Sequence, residues 1–187
     1  MITKKIISLC KKSGVLHLFD SDGVQWISDG AAIYPLFDLP WFDEETLCKA
    51  YDIPEKTAEK MLIKHDNSLP SFLNVADTTP EEMPCEYGEA IFERAIPITT
   101  SHGMEFIDKK YLSPFADADP DLLGIFERTG ENGQTVFAVK QGFCLVGFIM
   151  PYDCINEKFV NRLKDICRQC EITLFNKNSK EMNETEK

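Results

Sequence analysis

The chain has 187 residues, 43% of them hydrophobic, and a formal net charge of −11 at pH 7. That composition supports a substantial core and excludes global disorder, while the excess of acid opposes general adhesion to nucleic-acid phosphates and anionic membranes. No run approaches the roughly 18 uninterrupted apolar residues a membrane helix needs, and the N-terminus, broken by Cys10-Lys11-Lys12, is too short for a secretory signal. The seven cysteines are therefore expected as reduced thiols in a cytoplasmic protein.

In chain order, Thr3 is placed to cap a helix to about Lys12, with Ile6, Ile7, Leu9 and Cys10 inward and Ser13-Gly14 as its stop. Strands over 15–20, 24–28 and 31–36 follow, joined at Asp22-Gly23 and Asp29-Gly30, dipeptides that supply the positive backbone angles of tight hairpins. Residues 38–100 form an insertion. It opens with a helix from Asp43, with Leu47, Cys48 and Tyr51 inward, and a second helix after Ile53-Pro54, with Ala58, Met61 and Leu62 inward. Residues 67–88, rich in proline and acid, read as a surface loop, and 89–98 as a strand. A short strand at 104–107 leads to Asp108, which caps a short helix ending near 114–118, and strands come at 122–128, 134–139 and 143–149. The last helix spans 156–174, with Phe159, Val160, Leu163, Ile166, Cys167 and Cys170 on one face. Residues 176–187 read as a disordered tail.

The phrase Ile2-Thr3-Lys4-Lys5-Ile6-Ile7-Ser8 returns as Ile107-Asp108-Lys109-Lys110-Tyr111-Leu112-Ser113, and three strand-like runs follow each copy. Such self-similarity points to architecture before any local propensity does. The expected fold is α+β: two pseudo-repeated units, each a helix plus a three-stranded antiparallel meander. They form one domain over 1–175, with the helical insertion 38–100 and a C-terminal helix.

A duplicated strand, helix and three strands resembles a domain of the DNA sliding clamps. The stretch Phe106-Ile107-Asp108-Lys109-Lys110-Tyr111-Leu112 resembles the clamp step from strand into helix. Residues 136–142 followed by 143–151, ending in Met150-Pro151, resemble its closing hairpin. The whole chain also resembles small uncharacterised proteins carried on bacterial mobile elements. Clamps line a ring with cationic helices, so the resemblance implies that Lys4, Lys5, Lys11, Lys12, Lys109 and Lys110 face DNA. One clamp-like domain per chain would need self-association to close a ring. The same lysines also read as an ordinary solvated helix face.

Other signals are weaker. Cys167-Arg168-Gln169-Cys170 is the one CxxC, has no second ligand pair, and lies far along its helix, so packing is the favoured role. His17, His65 and His102 are scattered; a grouping of Cys85, His102 and Asp108 has no local support. Asp20-Ser21-Asp22-Gly23 and the acids at 117, 119 and 121 lack the spacing of a calcium loop; the first reads as a hairpin turn and the second as a loop after a helix. Residues 47–62 have the rhythm of a helix-turn-helix, but their second helix alternates Glu55, Lys56, Glu59 and Lys60, a mixed face poorly suited to a major groove. Trp26, Tyr34, Phe37, Trp41 and Phe42 cluster around prolines and are the candidate protein interface. The expected function is a non-enzymatic binding module without metal or cofactor, a clamp-like accessory in DNA maintenance on a mobile element acting through a protein partner or self-association. The alternative is a direct DNA binder using the lysine-bearing helices or the inserted helical pair.

Overall fold

Local turn chemistry sets up the first half. In the computed structural model, which describes residues 2–86, 94–130 and 133–185 and side chains to residue 178, α1 (Ile2–Ser13) buries Ile6, Ile7, Leu9 and Cys10. Gly14, at φ 75°, ends it by donating its N–H to the Cys10 carbonyl at 2.9 Å. Next come β1 (Val15–Ser21), β2 (Val24–Ser28) and β3 (Ala32–Pro35). Asp22 and Gly23, at φ 51° and 77°, form the two-residue link between the paired residues Ser21 and Val24.

The insertion starts with α2 (Glu44–Ala50). Asp43 accepts from the Thr46 N–H at 2.7 Å, and the Thr46 hydroxyl accepts from the Asp43 N–H at 3.0 Å. The expected second helix is a single turn, α3 (Glu55–Ala58), and Leu62 begins a strand, β4 (Leu62–Asp66), parallel to β1. The burial of 62–66 alternates with period two, Ile63 and His65 half-buried between exposed neighbours, so Leu62 points outward at 54% exposure and not into a helical seam. His65 Nε2 contacts Asp20 Oδ2 at 2.9 Å and His17 Nε2 contacts Asp66 Oδ2 at 2.7 Å, tying this edge strand down.

The second half comprises β5 (Met83–Pro84), β6 (Ala95–Thr100), β7 (Gly103–Asp108), the 3₁₀ helices η1 (Lys109–Phe115) and η2 (Pro120–Leu122), then β8 (Leu123–Thr129), β9 (Thr135–Gln141) and β10 (Cys144–Ile149). The strand expected at 89–98 begins at Ala95, with Arg94 in a turn before it; residues 89–93 lie outside the described residues. The fold is mixed α+β. Its main sheet runs β4-β1-β2-β3-β10-β9-β8-β5, antiparallel except at β4–β1, and β6–β7 form a separate hairpin.

Both faces of this sheet are covered. Leu16, Leu18, Ile27, Tyr34, Phe137, Val139 and Ile149 point to the face that holds α1, α2 and η1. Phe19, Trp26, Ile33, Val136, Ala138, Leu145 and Phe148 point to the other, where Leu73 from the irregular 67–82 segment is buried and Leu69, Phe72 and Val75 pack beside it. That segment is a fitted cover. Arg128 donates to the carbonyls of Asn74 at 2.6 Å and Asp77 at 3.2 Å, and the Leu145 N–H donates to Asp77 Oδ1 at 2.9 Å.

A bulge on β10 between Leu145 and Gly147 shifts the alternation so that Phe148 and Ile149 stay on their proper faces. A Cβ on Gly147 would lie 3.0 Å from the Ile33 carbonyl oxygen and 3.1 Å from the Tyr34 ring. Gly147→Ala is therefore expected to cost about 1–3 kcal/mol in urea unfolding; an unchanged midpoint would show that β3 and β10 can part freely.

Residues up to Tyr152 form one compact unit and Asp153 begins a second. In the second, Asn156 Oδ1 accepts from the Phe159 N–H at 3.0 Å and α4 (Glu157–Thr185) follows. The sequence reads 176–187 as a disordered tail, but the helix continues through 176–185, and 186–187 lie outside the described residues. No glycine or proline interrupts 156–185, and Lys177, Lys180, Glu181 and Met182 are good helix formers. No helix among the described residues is long and apolar enough to cross a membrane.

Candidate functional site

The strand β7 delivers Asp108, 3% exposed, to the start of η1. Its Oδ1 accepts from the Lys110 N–H at 3.1 Å, and its Oδ2 accepts from Arg94 Nε at 2.7 Å. The Lys109 N–H completes the clasp by donating to the Arg94 carbonyl at 2.7 Å. Pro114 inside η1 keeps this segment a short 3₁₀ helix. Beside it opens a groove of about 790 Å³ with Ile96, Leu112, Phe115, Ala116, Ala118 and Leu123 along its apolar surface. Arg94, Lys109 and Lys110 stand among its lining residues, and the Lys110 ammonium sits 4.5 Å from the Tyr111 ring centroid. One residue before the lining Leu123, the Leu122 carbonyl accepts from the Gly142 N–H at 2.7 Å, placing the turn before β10, with Phe143 at 88% exposure, beside Leu122 at 51%.

Asp108 both caps η1 and positions Arg94. Asp108→Ala is expected to cost about 1–3 kcal/mol, whereas Asp108→Asn, which keeps an acceptor for Lys110, should cost less. Urea titrations of the pair check this. Equal losses would mean that the charge on Asp108 outweighs its capping bond.

The structure brings some of the sequence-selected residues together. Lys4 and Lys12 on α1 and Lys109 on η1 are exposed, and α1 packs against η1. The other three have internal partners. Lys5 pairs with Asp117 at 2.7 Å, Lys11 donates to the carbonyls of Tyr51 and Asp52 at 3.2 and 3.3 Å, and Lys110 lies 3.9 Å from Asp108. The hydrogen bond from Lys5, then its charge, lowers the pKa of Asp117 below the usual carboxylate value. The aromatic cluster divides. Trp26, Tyr34 and Phe42 are buried, whereas Phe37 and Trp41 are 51% and 57% exposed.

Other candidates stay apart or are already occupied. His102 lies in the β6–β7 turn and Asp108 at the far end of β7, about 20 Å away along an extended strand. Burial raises the thiol pKa of Cys85, and it pushes Cys10, aided by the Asp29 charge, to about 12. Cys167 and Cys170 are exposed on α4, in contrast to the inward face expected. Asp20 is held by Gln25 and His65, and Asp119 caps η2. No group of three or more His, Cys, Asp or Glu suited to a metal ion occurs among the described residues.

Sequence reasoning missed Arg94, Leu112, Phe115 and Leu123 as groove-lining residues and Phe143 as an exposed apolar one. Only Phe143 carried a signal, a large apolar side chain directly after a turn glycine. No family model matches the chain, no curated protein matches it, and no solved structure matches its fold.

Proposed function

We propose that the protein is a non-enzymatic interaction module, a clamp-like accessory in DNA maintenance on a mobile element, whose body takes a protein segment into the groove beside η1. The observation that carries this is an open apolar groove whose lining sets three cations, Arg94, Lys109 and Lys110, against one acid, Asp108, on a chain whose net charge is −11. Apolar floor and cationic lining together suit an extended segment that offers apolar side chains next to Asp or Glu. The order β1-β2-β3 against β10-β9-β8, joined antiparallel at β3–β10 with α1 against η1, supports the reading of a duplicated, clamp-like unit.

Peptide display against the full chain, with counter-selection on a folded Leu112→Asp variant, tests the groove. Enrichment of acidic-apolar peptides that lose binding to Leu112→Asp and to Lys109→Glu/Lys110→Glu is expected. Peptides that bind all three proteins equally would refute the site.

The alternative is direct DNA binding, favoured by one observation: Lys4, Lys12 and Lys109 are exposed on two helices packed together. Within the inserted helical pair, α3 is only four residues long, too short to lie along a major groove. Salt-dependent retention on duplex DNA, weakened by Lys4→Glu and Lys12→Glu, would favour this alternative. The groove reading expects no such retention.

A further inference from the structure

The exposed helix α4 carries a second pattern, independent of the groove. Val160, Leu163, Cys167, Cys170 and Leu174 recur at alternating steps of three and four, the seam of a two-helix coiled coil. Four of the five face solvent: Val160 at 36% and Leu174 at 59% exposure, with Cys167 and Cys170 also exposed, while Leu163 is half-buried. The flanks of this seam differ. One carries Phe159, Ile166 and Thr173, and the other carries Glu157, Lys164 and Glu171.

We propose that α4 pairs with α4 of a second copy of this chain, antiparallel, about an axis between Arg168 and Gln169. In that register Leu163 meets Leu174 of the second copy, Cys167 meets Cys170, and Val160 meets the aliphatic stem of Lys177. Each contact occurs twice by symmetry, over a seam of about 26 Å. The flanks select this partner and this direction. Antiparallel pairing sets like flank against like flank, so Ile166 lies against Thr173 and Lys164 against Glu171 of the second copy, opposite charges on both sides of the axis. A parallel pair would place Ile166 against Glu171, apolar against charged, and would give up the pairing of Lys164 with Glu171. The two central layers are cysteine, small enough for close approach of the helices.

Sedimentation equilibrium of the full chain under reducing conditions tests this. A dimer is expected, and Leu174→Glu, at an exposed position that leaves the body intact, should weaken it at least tenfold. Lys164→Glu should weaken it severalfold by opposing two acids, and Lys164→Glu/Glu171→Lys should restore it. A monomer at all concentrations, or a dimer indifferent to Leu174→Glu, would overturn the proposal. So would a dimer that responds to Leu174→Glu but not to the charge reversals, since it would have another register. None of these outcomes bears on the groove, which Leu112→Asp tests separately.

Discussion

Glu82→Ala is expected to destabilise the protein by about 3–5 kcal/mol, because it leaves two buried cations without their shared anion. Arg128 and Lys140 each keep only 4% of their side-chain surface exposed, and Glu82 keeps 8%. Glu82 Oε2 accepts from Arg128 Nη2 at 2.7 Å and from its Nε at 3.0 Å, while Oε1 accepts from Lys140 Nζ. Apolar rings form much of the surroundings: the Lys140 ammonium lies 4.4 Å from the Phe126 ring centroid and the Arg128 guanidinium 5.8 Å from that of Phe148. Losing the anion would also loosen the 67–82 cover that Arg128 holds, uncovering Trp26 and Phe148. The measurement is urea unfolding of wild type and variant. A cost below about 1 kcal/mol, the range of an exposed ion pair, would show that water reaches the triad.

The same triad gives a pH dependence. Burial alone would raise the Glu82 pKa, but hydrogen bonds from Lys140 and Arg128, with the Arg128 charge, lower it on balance. A carboxylate with a depressed folded pKa contributes its full stability above the ordinary glutamate value of about 4.3 and loses it as pH falls through the folded value. Wild type should therefore be clearly more stable than Glu82→Gln at neutral pH, and the gap should close on acidification below the ordinary value. A gap that widens in acid would contradict the arrangement.

Tyr34→Ala is expected to cost a further large sum, about 3–5 kcal/mol, and Tyr34→Phe about 1–2 kcal/mol. Tyr34 is 1% exposed, its hydroxyl donates to the Tyr111 carbonyl at 2.9 Å, and its ring centroid lies 5.8 Å from that of Phe115. One side chain thus joins β3 to η1, elements that belong to opposite halves of the chain. The alanine variant loses the ring beneath Gly147 as well as the bond; the phenylalanine variant loses only the bond. Equal losses would assign the whole effect to the hydroxyl, contrary to the packing seen.

What could be read in advance was local. Asp22-Gly23 specifies a hairpin by its own backbone preference, Asp43 and Asp108 announce helix starts through their side-chain oxygens, and the three strands of each half stand out as short apolar runs between turn residues. Long-range compensation was not legible. Arg128 and Lys140 stand in strands where charge normally marks the solvent side, and the acid that makes their burial tolerable lies 46 and 58 residues away. The 67–82 segment lacks periodicity because its fit comes from those bonds and from Leu73, so composition alone described it as a surface loop. In β4 five residues are too few to separate period two from the end of a helix. The groove was hidden for a related reason: Arg94, Asp108, Leu112 and Leu123 come from separate elements and become neighbours only through the fold. On α4 the apolar spacing was visible, yet spacing does not say whether such a face is covered from within the chain.

The most direct test of the groove is a titration of ¹⁵N-labelled full-length protein with the best display-selected acidic-apolar peptide, followed amide by amide. Shift changes centred on Ile96, Leu112, Phe115 and Leu123, abolished by Leu112→Asp, are the expected result. Changes that avoid these residues, or perturbations confined to Lys4, Lys12 and Lys109 and produced by duplex DNA instead, would contradict it.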